Sequence, residues 1–297
     1  MKKGFTLFEL VMVIIIMGIV ASIGADIIAS LYANYVRTRT INALEAKTEI
    51  TLEQIAKRLQ YRIKDSTIAR KSNQIVPIAS TIVDDTFPII EWIGYSNESL
   101  LGAPRPGWSG FIDLDHSDTN KTNQTLKTSE SNLTLASTIM SALTNTDINL
   151  SDENEAALVF KGRPYNYTDF GWGVANNTDG SATIKVKIFG TSLDTLQVSN
   201  DTNLSEIYEQ YHLAHSAFAI VPSDTNSTDF NLTLHYNYQP WLNKNYTDGN
   251  SSILTEHASL FRFRQDQTLL RFKLCLHDAN QTGIGDIIVV CKEKVVY

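Results

Sequence analysis

The first twenty-five residues constrain this chain more than any other stretch. Lys2, Lys3 and Gly4 precede a run from Phe5 to Ala25 that carries one charge, Glu9. At about 1.5 Å rise per residue, such a run is long enough to cross a hydrocarbon core of about 30 Å as a helix. A secretory signal would end in a small-x-small cleavage site before a polar mature sequence, but here the helical pattern continues well beyond the apolar part. Any cut therefore falls before the apolar run. Lys2 and Lys3 favour a cytoplasmic N-terminus, with the rest of the chain across the membrane, and Arg37 and Arg39 oppose this only weakly.

No proline occurs before Pro77. Ile41, Leu44, Leu52, Ile55, Leu59 and Ile63 recur three or four residues apart with one longer gap, opposite Glu45, Lys47, Glu49, Glu53, Lys57 and Arg58. That is an amphipathic helix. Joined to the span, it predicts one helix of about 65 residues and about 95 Å. Its spanning half (5–28) needs lipid or other helices, and its amphipathic half (29–71) can lie on a sheet. A coiled-coil stalk is the alternative for the second half, but only about three heptads are present.

Residues Lys2-Lys3-Gly4 followed by Phe5-Thr6-Leu7-Phe8-Glu9 resemble the class III leader of type IV pilins and type II secretion pseudopilins. The resemblance implies cleavage of the 1–4 leader by a prepilin peptidase at Gly4/Phe5, methylation of the new amino terminus, and assembly with other pilins through the helix. It also implies a fold, α+β, with an antiparallel β-sheet head on the long helix. Glu9 is the implied assembly charge, its partner being the amino terminus of a neighbouring subunit. Physics points the same way, because a carboxylate in a membrane span costs at least about 2.5–3.5 kcal/mol and is a functional candidate by default.

The head, 72–297, changes to β-branched and aromatic residues broken by turn formers. Strands are predicted at Ala156–Lys161, Ala182–Gly190, Phe218–Val221, Phe230–Tyr238, Leu260–Arg264, Thr268–Leu276 and Asp286–Val296. His116–Asn154 is poor in apolar residues and reads as an exposed excursion, with a short helix at Leu133–Leu143. Leu260–Arg264 and Leu269–Cys275 resemble the terminal strands of minor pilins and J-type pseudopilins, and Leu59–Asp65 resembles the end of their long helix. Cys275 and Cys291 lie in strand-like segments either side of a turn. A hairpin disulfide is expected in an oxidising compartment, with two free thiols as the alternative.

Fourteen asparagines sit in Asn-x-Ser/Thr, all in the head. Eight have an acid two residues earlier: Asn120, Asn132, Asn149, Asn203, Asn226, Asn231, Asn250 and Asn280. Composition alone would put about one or two there. The longer pattern resembles the acceptor of bacterial periplasmic oligosaccharyltransferases, which implies N-glycosylation of these eight and such an enzyme as a partner; turn composition is the competing account. Within paired strands, Asn231 and Asn280 are expected to be occupied less than Asn120, Asn132 and Asn149.

Catalytic groups do not assemble. His212-x-x-His215 lacks the glutamate of a zinc-protease frame, and Asp113-Leu-Asp-His-Ser-Asp118 lacks the glycine and distal glutamate of a calcium loop. No metal, cofactor or catalytic residue is assigned. A net charge of −7 and a pI near 5.4 argue against a nucleic-acid partner. The expectation is a non-enzymatic minor pilin or pseudopilin of a type II secretion or type IV pilus filament, at or near its tip. It would be anchored by one pass in the bacterial inner membrane with a periplasmic head, and assembly would carry it into a cell-surface filament. A pilin-like adhesin or receptor, or a DNA-uptake pseudopilin, are the alternatives.

Overall fold

The computed structural model describes residues 6–72, 74–80, 86–151, 154–173, 180–199, 204, 206–226, 228–278 and 287–297. Helix α1 runs Leu7–Gln60, 54 residues and so about 80 Å long. It starts in a capping box: the Glu9 amide donates to the Thr6 hydroxyl, and the Thr6 amide donates back to the Glu9 carboxylate at 3.0 Å.

The helix stops at Gln60, short of the predicted Lys71. Beyond it the backbone finds tertiary partners: the Ile63 amide donates to the Ile93 carbonyl, and the Ile93 amide donates to the Ser66 hydroxyl. Arg62 donates to the Leu59 carbonyl at 2.8 Å, capping the last turn. The stretch assigned to the end of the helix then becomes β1, Ile68–Lys71.

The remaining elements follow in order: β2 Gln74–Pro77, β3 Ile89–Tyr95, α2 Asn97–Leu100, β4 Thr125–Lys127, α3 Leu133–Leu143, β5 Ala156–Phe160, β6 Ile184–Ile188, β7 Thr195–Val198, β8 Tyr211–Asn226, β9 Asp229–Tyr238, β10 Asn250–Asp266, β11 Leu269–His277 and β12 Val289–Val296. Among the described residues they form one antiparallel sheet ordered β12-β11-β10-β9-β8-β5-β6-β7-β4, with β3 on β8 and β1 joining β2 to β3. β8 is its hub, pairing β5 through its first residues, β3 through its middle and β9 through its second half.

The amphipathic stripe seats α1 on this sheet. Leu44, Leu52, Ile55 and Leu59 are buried against Trp92, Leu234, Phe261, Phe272 and Leu274. Each such side chain contributes about 1.5–3 kcal/mol by area, as an upper bound. The longer gap in the stripe is filled by Thr48 and Thr51, buried with their hydroxyls donating to the Leu44 and Lys47 carbonyls. These bonds remove the cost of burying a lone hydroxyl.

Residues 116–151 are not an exposed excursion. The helix predicted at Leu133–Leu143 forms as α3, capped by Asn132, and Leu126, Leu133, Ala136, Met140, Ile148 and Leu150 are buried with β5 to β7 in a second core. Most of the few apolar residues are spent inward, Leu143 being an exception, which a mean over the segment conceals.

Candidate functional site

The exposed part of α1 is the first candidate. Leu7, Phe8, Leu10, Met17, Ile28, Leu31 and Tyr35 are all well exposed, and the helix is long and apolar enough to cross a membrane. A helix apolar on every side belongs in lipid or among other helices. Glu9 is the acidic group at its start, and the Thr6 hydroxyl also donates to its carboxylate at 2.9 Å. Gly4 and Phe5 lie outside the described residues.

The seat of the lower half is held at the sheet edge. On β12, Lys292 Nζ lies 3.0 Å from Glu49 Oε2, and Lys294 bonds both Glu49 and Glu53, one turn apart on α1. The bond and charge of Lys292 hold the Glu49 carboxyl below its ordinary range, and the bond to Glu53 holds the Lys294 ammonium above its own. Exposed pairs of this kind fix orientation more than stability. β12 is itself fastened, because Cys275 and Cys291 pair directly across β11 and β12 in a disulfide. The expected hairpin disulfide is therefore present.

A buried ionic group lies beneath β1 and β3. Arg70 Nε donates to Glu91 Oε2, Arg70 Nη2 donates to the Trp172 carbonyl at 2.9 Å, and the Tyr238 hydroxyl donates to Glu91 Oε1 at 2.9 Å. Burial pushes the Glu91 carboxyl up, and Arg70 pulls it back. Sequence reading passed over this pair; the signal was Glu91 alone inside the apolar run Ile89–Tyr95, with Arg70 beside Ile68 and Ala69.

His212 and His215 do not converge. Both lie in β8 rather than on a helix, with a register shift against β3 between them, and they line different cavities. His212 stacks on Tyr95 at 4.7 Å, and burial holds both imidazoles down at about 4. The Asp113–Asp118 loop uses its carboxylates internally: Asp113 accepts from the Asp115 amide and the Ser129 hydroxyl, and Asp118 lies 3.9 Å from Lys127. A groove of about 790 Å³ opens where α1 ends beside β12, lined by Lys57, Arg62, Lys64, Lys161 and Arg163 against Glu53 and Asp65.

The glycosylation candidates scatter. Asn120, Asn132 and Asn149 are half-buried, each with its side-chain oxygen accepting backbone amides. Asn231 sits in β9 between β8 and β10, and Asn250 is exposed at the start of β10. Asn226 closes β8 with its backbone paired to Asp229, and Asn203 and Asn280 lie outside the described residues.

A long N-terminal helix followed by an antiparallel head is a pilin-like α+β architecture. Residues 1–25 match the family described as the prokaryotic N-terminal methylation motif. With the long apolar helix, this match fits a class III prepilin leader of a type IV pilin or pseudopilin, whose processing enzyme is a prepilin peptidase and whose partners are other pilins. One apolar helix is also consistent with a single-pass inner-membrane anchor. No curated protein and no solved structure matches the chain, so the leader carries the likeness.

Proposed function

We propose that the chain is a minor pilin or pseudopilin, a structural and non-enzymatic subunit of a type II secretion or type IV pilus filament that sits at or near the tip. The observation that carries this reading is the exposed apolar helix with Glu9 at its start. In lipid alone that carboxylate is costly, and a neighbour's amino terminus would supply the countercharge. Lys2 and Lys3 support a cytoplasmic start and a periplasmic head. The size of the head, with its wide sheet, supports a place at the filament end rather than in a closely repeating shaft.

The test is Glu9→Leu in the native host. The substitution removes an insertion cost, so the variant should enter the membrane as well as the wild type. It should then fail to co-purify with partner pilins. Membrane insertion with undiminished co-purification rejects Glu9 as the docking charge.

A further inference from the structure

Three side chains that no sequence motif connects meet where β9, β10 and β11 run side by side. Phe230, Ala258 and Leu276 are paired across the three strands. Asp229, His257 and His277 each adjoin a member of that row. Asp229 Oδ1 lies 3.2 Å from His257 Nδ1 and 3.2 Å from His277 Nε2, and the three donor atoms all lie within 4.8 Å of one another.

The backbone is bent to make this meeting. β10 shifts register against β9 between Thr255 and Ala258, and against β11 between Ala258 and Leu260. Within the first of those shifts His257 has φ +61°, a left-handed conformation costing a non-glycine residue about 1–2 kcal/mol. Bulges re-aim side chains, and strain retained in a strand marks positions where a side chain's direction matters. Here the strained residue turns its ring onto Asp229.

His277 supplies the chemical argument. Its Nδ1 faces the Asp278 carbonyl at 3.3 Å, so that nitrogen carries the proton. Its Nε2 then presents a lone pair that is shielded from solvent and makes no hydrogen bond among the described residues. Asp229 Oδ1 lies 3.2 Å from that nitrogen, off the line of a hydrogen bond to it. Two acceptors held so close call for a cation, either a proton on the ring or a metal ion, and a proton on Nε2 would make no hydrogen bond here while a metal ion would bond both ligands. A carbonyl on the far nitrogen is also the usual support of a metal-bound imidazole.

We infer that Asp229, His257 and His277 form a site for a divalent transition-metal ion of the zinc type. Two imidazoles and one carboxylate suit zinc and its neighbours; calcium would take six to eight oxygens. A tetrahedral ion with bonds of about 2.0–2.1 Å separates its ligand atoms by about 3.3–3.5 Å, so the two 3.2 Å distances need little adjustment. Binding displaces the proton from His257 Nδ1, and Asp229, roughly half-exposed, leaves the fourth position to water. The ion would staple three adjacent strands of the sheet that carries α1.

The experiment is zinc titration by calorimetry of untagged full-length protein in detergent, stripped beforehand with a chelator. The wild type should bind one saturable equivalent and unfold at a higher temperature when loaded. His277→Gln and His257→Asn should each weaken binding at least tenfold, asparagine being chosen because it tolerates the left-handed backbone. His116→Gln, on a distant loop, should bind like the wild type. Absence of a saturable equivalent in the wild type overturns the site, as does equal binding by all four proteins.

Discussion

Removing one partner of the buried Arg70–Glu91 pair should unfold the head far more readily than removing both. Glu91 is fully buried and Arg70 nearly so, and between them they engage the Tyr238 hydroxyl and the Trp172 carbonyl. Glu91→Gln keeps the volume but strands a guanidinium, for an expected loss of about 3–5 kcal/mol. Arg70→Met strands the carboxylate, which burial then pushes up without the opposing cation. A group whose folded value is raised binds its proton more tightly in the fold, so this variant should lose stability as pH rises through that value. The double variant Arg70→Met with Glu91→Leu removes both charges and leaves mainly the Tyr238 hydroxyl unsatisfied, a loss of about 1–3 kcal/mol. Urea unfolding of the detergent-solubilised chain, followed by tryptophan fluorescence, reads all three, since Trp172 and Trp92 are buried in the same region. A double variant as unstable as the two single losses summed would refute the reasoning, as would Glu91→Gln costing under about 1 kcal/mol.

Two further outcomes follow from the same structure. Cys275→Ala with Cys291→Ala should lower stability by about 2–4 kcal/mol, and hydrogen exchange should quicken first in β12, the edge strand whose lysines hold α1; uniform quickening would contradict that role. If glycosylation follows folding, glycopeptide mass spectrometry of native protein should find Asn250 occupied above Asn120, Asn132, Asn149 and Asn231, because it alone of these is exposed; the reverse order would point to modification of the unfolded chain or to another signal.

What could be read from the sequence was local and periodic. The apolar run, the stripe from Leu44 to Leu59, the helix at Leu133–Leu143 and the alternation in Ile184–Ile188 each carry their own period, and each became the expected element. The end of α1 was not legible, because Arg62 to Lys71 leave helical geometry for bonds to Ile93 and for pairing with β3, contacts about twenty or more residues away, as well as for a local hairpin with β2. The same holds for the buried pair and for the cluster of Asp229, His257 and His277. Their members are separated by 20 or more positions, and only strand register, with its bulges, brings them together. Residues 116–151 misled for another reason: most of their sparse Leu and Ile point in, and several of their serines and threonines, Thr125, Thr128, Ser131 and Thr144, are themselves buried.

The leader is tested most directly by the mass of the N-terminal peptide of protein taken from its native host. The chain should begin at Phe5 with an N-methyl group, and Gly4→Val protein should keep residues 1–4. Met1 retained on wild-type protein that still assembles with its partners would contradict that processing.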